Sequence, residues 1–303
     1  MFPISLAYLV VILIWTTTPL AIQWSGESDW FFGVAARLIL SALIILPMII
    51  VFKQQRFDLS WSAFKVYAAA AIGLLGGMTP VYWAAQTMPS GWIALIWGMN
   101  PIVTGLLIYF ILRTERLTPA KWLGIGVSLI GLMVLFVPNL ESVSTQDLLL
   151  QGLIVALIGV FFHSLSTVLV KKTAHNLPPL HVVTGALWIT SIVFLIIHPT
   201  VLLDWPPLST RTSWALGYLI LVGSVIGFAL YYYVLKHLDA LRLGMIPMIT
   251  PVFAVALGVA VNNEQLSLPV IFGAILILAG LLLFELERFY RLIKRRQQTN
   301  SID

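Results

Sequence analysis

The chain contains no cysteine, which removes disulfides, thiolate nucleophiles and sulfur-ligated metal sites together. Charge is nearly as scarce. Asp, Glu, Lys and Arg make up 10% of 303 residues against 60% hydrophobic residues, and the mean hydropathy is +0.98. A soluble domain of this size needs far more polar surface, so lipid is the main solvent expected. No two of the five histidines have a metal-ligand spacing within one apolar run, and no phosphate-binding glycine loop or nucleophile motif occurs. No catalytic group, metal site, cofactor or built-in ATP motor is therefore expected. Carboxylates are missing where they would matter most. All twelve (Glu27, Asp29, Asp58, Glu115, Glu141, Asp147, Asp204, Asp239, Glu264, Glu285, Glu287, Asp303) fall in loops, tails or the ends of apolar runs. That placement disfavours a midplane carboxylate trading protons or sodium for a cationic cargo.

What the chain has in abundance is apolar runs long enough to cross a hydrocarbon core of about 30 Å as helix. Ten are expected: Ile4 to Trp24, Trp30 to Phe52, Phe64 to Ala85, Ser90 to Leu112, Ala120 to Val137, Leu148 to Val170, Leu180 to Ile197, Ser213 to Leu235, Leu241 to Val261 and Leu268 to Phe284. The first run lacks a basic start and ends in Trp24 instead of a small-residue cleavage site, so it reads as a retained span.

Positive charge sorts to one side of this pattern. Lys53, Arg56 and Lys65 follow span 2; Arg113, Arg116 and Lys121 follow span 4; Lys171 and Lys172 follow span 6; Lys236 and Arg242 follow span 8; Arg288, Arg291, Lys294, Arg295 and Arg296 follow span 10. The opposite side keeps only Arg211, and Arg37 lies inside span 2. Cytoplasmic loops retain Lys and Arg, so both termini are expected inside a bacterial cytoplasmic (inner) membrane. The sequence pI near 9.5 then reflects attraction to anionic lipid, and nucleic acid is not an expected partner. Nothing in the sequence fixes an oligomeric state, and a monomer suffices for the architecture below.

An internal repeat organises the spans. Gly73, Gly77, Tyr82 and Pro101 recur 150 positions later as Gly223, Gly227, Tyr232 and Pro251. At 149 positions, Glu115, Leu117, Gly124, Gly131 and Leu132 recur as Glu264, Leu266, Gly273, Gly280 and Leu281. A one-residue deletion between Pro251 and Glu264 reconciles the two offsets, and the repeat unit is five spans. An odd number of spans forces the second copy into the opposite orientation. The fold expected is therefore an all-α membrane protein of ten helices in two inverted five-helix repeats, residues 1–139 and 148–287, with a basic cytoplasmic tail at 288–303. Such halves can rock about an axis in the membrane plane and expose one central site to either side in turn.

Two segments carry a family resemblance: Asn100-Pro101-Ile-Val-Thr-Gly with Glu115-Arg-Leu-Thr and Gly124 to Gly131, and Thr250-Pro251-Val-Phe-Ala with Glu264-Gln-Leu-Ser and Gly273 to Gly280. Together with Arg37 in span 2, they make the whole chain resemble the EamA branch of the drug/metabolite transporter superfamily. The resemblance implies a small-molecule substrate held in a cavity between spans 3, 4, 8 and 9 with helices 1 and 6. It also implies transport of metabolites, with export of amino acids or related compounds as the leading expectation and export of cationic or hydrophobic drugs as the alternative.

The residues themselves nominate the contacts. Polar and aromatic side chains inside spans need partners, which a polar substrate could supply. The candidates are Trp15, Thr18, Arg37, Thr79, Tyr82, Trp83, Trp97, Asn100, His163, Tyr232 and Thr250. Ile93, Trp97, Asn100 and Thr104 share one helical face, as do Thr79, Tyr82, Trp83 and Gln86. Ordinary helix packing is the competing reading of each. Arg37 could recognise a carboxylate or anchor a carbonyl cluster, and His163 could pack, touch substrate or relay a proton. Pro19, Pro80, Pro101, Pro247 and Pro251 are candidate hinges, because proline frees a carbonyl and permits a kink.

Overall fold

Hydrocarbon cannot satisfy a free backbone N–H or C=O, so each apolar run must close its own hydrogen bonds as helix. The computed structural model describes residues 3–51, 57–114, 116–136, 143–173, 177–237 and 240–299, without the side chains of 48–51, 143–146, 179, 232, 235–236, 240–244 and 287–299. Lys53, Arg56, Glu115 and Glu141 thus lie outside the described residues. Among the described residues ten helices are long and apolar enough to cross a membrane, and no strand occurs.

Spans 1 to 7 are Ile4–Ser25, Trp30–Val51, Trp61–Ala84, Ser90–Leu112, Pro119–Phe136, Val143–Lys172 and Pro179–Ile197. Span 8 joins Thr210–Tyr218, Leu219–Ile226 and Gly227–His237; spans 9 and 10 are Ala240–Asn262 and Leu268–Thr299. Span ends fall within about three residues of the apolar-run boundaries, with two exceptions. Span 6 starts at Val143, and span 10 runs on through the basic segment to Thr299. The segment expected as a separate tail is mostly helix, because 281–299 contains neither Gly nor Pro to stop it. Glu285, expected at a span end, is buried inside that helix.

The third span of each half is built alike. Ser60 and Ser209 are the N-caps, their hydroxyls accepting from the backbone N–H groups of Ala63 at 3.2 Å and Thr212 at 3.1 Å. Each span then passes through a π-helical stretch, Gly73–Met78 in span 3 and Leu219–Ile226 in span 8. Such stretches insert a register shift into an α-helix and recur at functional sites.

The halves interlock. Span 1 docks on spans 8 and 9, and span 6 docks on spans 3 and 4; span 2 meets spans 7 and 8, and span 3 meets span 7. Span 4 crosses span 9, and span 5 pairs with span 10. In lipid these contacts rest on close packing more than on apolar burial, so small residues carry them. In the 5–10 pair, a Cβ on Gly124 would lie 2.6 Å from the Gly280 carbonyl oxygen, and one on Gly131 would lie 2.8 Å from that of Gly273. Gly124 faces Gly280 while Gly131 faces Gly273, an antiparallel pairing that survives exchanging each glycine for its counterpart 149 positions along. Outward, Leu13, Phe110, Leu129, Ile130, Met133, Phe253 and Phe272 are exposed apolar side chains of the kind lipid covers.

Candidate functional site

Span 4 is interrupted at Gly98–Met99, between helical Ser90–Trp97 and Asn100–Leu107. Pro101 has no N–H, so the carbonyl of Trp97 four residues earlier loses its helical donor. Asn100 supplies one: its Nδ2 donates to the Trp97 oxygen at 2.8 Å. The Asn100 Oδ1 accepts from the Ser164 hydroxyl of span 6 at 3.0 Å, and the same hydroxyl lies 3.3 Å from the Asn100 carbonyl. Asn100 thus staples the break to span 6 and, among the described residues, keeps one amide N–H over.

One turn away, the His163 ring lies 4.9 Å from the Trp97 ring, tilted by 51°. His163 reaches this position because span 3 presents glycines there. A Cβ on Gly77 would meet His163 Cβ at 3.2 Å, and Ser166 covers Gly73. His163 Nδ1 is buried, facing the backbone of Gly73 without a hydrogen bond of good geometry. Trp97, Asn100, His163 and Ser164 therefore form one aromatic and hydrogen-bonding group where spans 4 and 6 meet the π-helical stretch of span 3. Trp83 and Thr79 are half-buried on span 3, Trp83 against the main apolar core.

The expected face of span 3 divides. Tyr82 is fully buried, and its hydroxyl accepts from Ser25 at 3.2 Å. Gln86 donates to the Gln23 carbonyl at 3.3 Å. Both point to the end of span 1, away from the Trp97 group, because Gly26 and Gly33 open room for them there.

Further polar and aromatic contacts join span 8 to span 1 and, separately, to span 2. The Trp15 ring lies 4.8 Å from that of Tyr231. Thr18 returns its hydroxyl to the Ile14 carbonyl at 2.7 Å, and Thr17 shares a hydrogen bond with Tyr218. Arg37 is 2% exposed; its Nε donates to Ser224 at 3.0 Å, and its Nη1 has no partner among the described residues. Ser224 belongs to the π-helical stretch of span 8, and Gly223 leaves the space for Nη2. The Arg37 partner, Ser224, is not a member of the Trp97 group. Thr250 is buried on span 9, and the Tyr232 side chain lies outside the described residues.

Among the candidate hinges, Pro101 adjoins the break in span 4, and Pro80 stands just past the π-to-α junction of span 3. The helices run uninterrupted past Pro19, Pro247 and Pro251. Sequence reasoning passed over Thr17, Tyr218, Ser224 and Tyr231. The signal available was the Gly223 and Gly227 match to Gly73 and Gly77, which marks span 8 as the place where close neighbours gather.

Ten interlocked membrane helices, with polar groups sheltered between the halves, define a polytopic membrane protein of the transporter type. The model of the EamA-like transporter family matches the chain twice, over residues 1–137 and 150–286, and the chain belongs to that family. It is similar to the uncharacterized transporter YyaM of Bacillus subtilis (strain 168), 25% identical over 85% of this chain and 83% of that protein. It is 26% identical to the uncharacterized inner membrane transporter YedA of Escherichia coli (strain K12), over 93% of this chain and 92% of YedA. A probable amino-acid metabolite efflux pump of Salmonella typhimurium is 25% identical over 64% of this chain and 67% of the pump. A crystal structure superposes with a TM-score of 0.65 at 20% identity, covering 97% of this chain and 98% of that one.

Proposed function

We propose that the protein is a secondary transporter that exports small metabolites, amino acids or related compounds, across a bacterial cytoplasmic membrane with both termini inside. Two inverted five-span halves rock against each other, and the Trp97, Asn100, His163 and Ser164 group contacts the cargo from the broken span 4. The observation that carries this reading is the interlocking itself. The first span of each half docks on the third and fourth spans of the other, so any relative motion of the halves reshapes the space around the Trp97 group. Aromatic faces there suit apolar or cationic parts of a ligand, and the spare Asn100 N–H suits an acceptor. The likeness to a probable amino-acid metabolite efflux pump supports the cargo class.

The test compares extracellular metabolites from cells producing the wild type and a Trp83→Ala, Trp97→Ala double variant at matched membrane levels. Selective accumulation of amino acids or related compounds outside wild-type cells is the expected result. Matching profiles, followed by equal flux in proteoliposomes loaded with an amino acid mixture, would sink the pocket, and no flux of any amino acid from either protein would sink the cargo class.

A further inference from the structure

The Glu-x-Leu-Ser segment after span 9 plays no part in the group around Trp97, yet the structure gives its carboxylate four hydrogen bonds. Oε1 of Glu264 accepts from the Ser90 backbone N–H at 2.8 Å, the Ser90 hydroxyl at 2.6 Å and Asn262 Nδ2 at 3.0 Å. Oε2 accepts from the Gly91 N–H at 3.1 Å. Ser90 and Gly91 open span 4, whereas Asn262 and Glu264 close span 9, so three of these four bonds join the two halves. The carboxylate also lies over the first turn of a helix, where unpaired N–H groups and the helix dipole favour negative charge.

The neighbours extend the tie. Asn262 donates to Gln23 Oε1 at 3.1 Å and accepts from Trp24 Nε1 at 3.0 Å, while Gln23 donates to the Met88 carbonyl at 3.3 Å. The ends of spans 1, 3, 4 and 9 are thereby zipped together on the face opposite Lys171 and Lys172. The backbone agrees: span 1 contacts the first half of span 4, and no comparable contact joins span 6 to span 9 among the described residues. In a two-fold arrangement those contacts are counterparts, so among the described residues this tie joins span 1 to span 4 and has no equivalent of similar extent between span 6 and span 9.

We infer that Glu264 is the latch of the gate on that face. It is a positioning residue that holds span 4 to span 9 while the path is shut there and releases Ser90 and Gly91 when it opens. This rests on the alternating-access reading above. A carboxylate suits the task because the helix-end N–H groups, the hydroxyl and the carboxylate all sit at the membrane surface. Water can replace each bond on opening, and the net value of such exchanged bonds is small.

The absence of native cysteine permits a direct test. A single cysteine at Ile93, 2% exposed and one turn inside Ser90, reports opening toward the Glu264 face through its rate of modification by a membrane-impermeant maleimide. A single cysteine at Thr104 reports the opposite face. Glu264→Ala is expected to speed modification at position 93 at least tenfold and to slow it at position 104. Ser90→Ala, which keeps the backbone donors, is expected to speed position 93 two- to threefold and serves if Glu264→Ala does not fold. Unchanged rates at both positions, or faster rates at both, would overturn the latch, the second result showing general loosening. Modification needs no cargo, so this outcome is independent of the metabolite comparison.

Discussion

Spans 4 and 9 occupy the same place in the two halves and carry proline at the same register, yet only span 4 breaks. Pro101 and Pro251 are 150 positions apart, as are Gly98 and Met248, and Asn100 and Thr250. Span 4 turns at Gly98–Met99, whereas span 9 is continuous from Ala240 to Asn262. The neighbours account for the difference. Gly98 lets the Pro251 ring approach to 3.1 Å of where its Cβ would stand, and Asn100 returns a donor to the orphaned Trp97 carbonyl. Span 9 has a bulky Met248 and, in Thr250, no amide to donate. Proline permits a break, and the residues beside it decide whether one forms. The consequence is local: the aromatic group of Trp97 and His163 stands at the broken span.

The largest expected effect tests where the halves are alike. Gly131 and Gly280 are counterparts in spans 5 and 10, and a Cβ on either would fall within 3 Å of backbone in the partner helix. Backbone cannot step aside as a flexible side chain can. Gly131→Leu and Gly280→Leu should each cut the yield of monodisperse protein from detergent-solubilised membranes by roughly tenfold or more. Gly126, whose Cβ would meet nothing within 4 Å, should accept Leu with normal yield. Unequal losses at Gly131 and Gly280 would break the equivalence of the halves at this interface.

Next comes an exchange between the unlike spans. Asn100→Thr gives span 4 the residue of span 9 and removes the donor to Trp97, leaving a carbonyl unpaired at a cost of about 1–3 kcal/mol. Efflux at matched membrane level should fall about tenfold. Thr250→Asn, the reverse exchange, should alter efflux less than twofold, because span 9 has no open carbonyl waiting for an amide. Equal effects would mean that the break in span 4 is incidental to transport.

The spans were legible because hydrocarbon imposes a length and a polarity that a chain cannot disguise; Ser90–Leu112 falls where its apolar run does. The repeat was legible in glycines and prolines, whose steric roles survive when other residues drift. The two π-helical stretches were not, since a register shift leaves no periodic mark beyond the glycines that tolerate it. Nor was the use of Asn100, Tyr82 and Glu264 legible. Sequence shows that a polar group must find a partner, but Ser164 and Ser90 are brought to Asn100 and Glu264 only by the interlocking of the halves, and Ser25 reaches Tyr82 only through the packing of the first half. Polar residues that looked free for a substrate were, in part, already engaged.

The smallest effect concerns how spans 4 and 9 end. Arg113 and Asn263, again 150 positions apart, have positive φ of 54° and 53°. Arg113 caps span 4 in the left-handed region, its N–H donating to the Ile108 carbonyl at 2.8 Å. That region crowds the Cβ of most side chains and costs roughly 1–2 kcal/mol, whereas asparagine visits it more readily. The half that breaks at Pro101 therefore also carries the less favourable terminus. Arg113→Asn should raise thermal stability in detergent by about 0.5 kcal/mol, and Asn263→Ala should lower it by a similar amount. Both changes leave the backbone hydrogen bonds in place, so their signs report the left-handed turn alone. A loss of stability in Arg113→Asn would show that the arginine side chain contributes more at this face than its strained backbone costs, and the two termini would then differ in function as well as in strain.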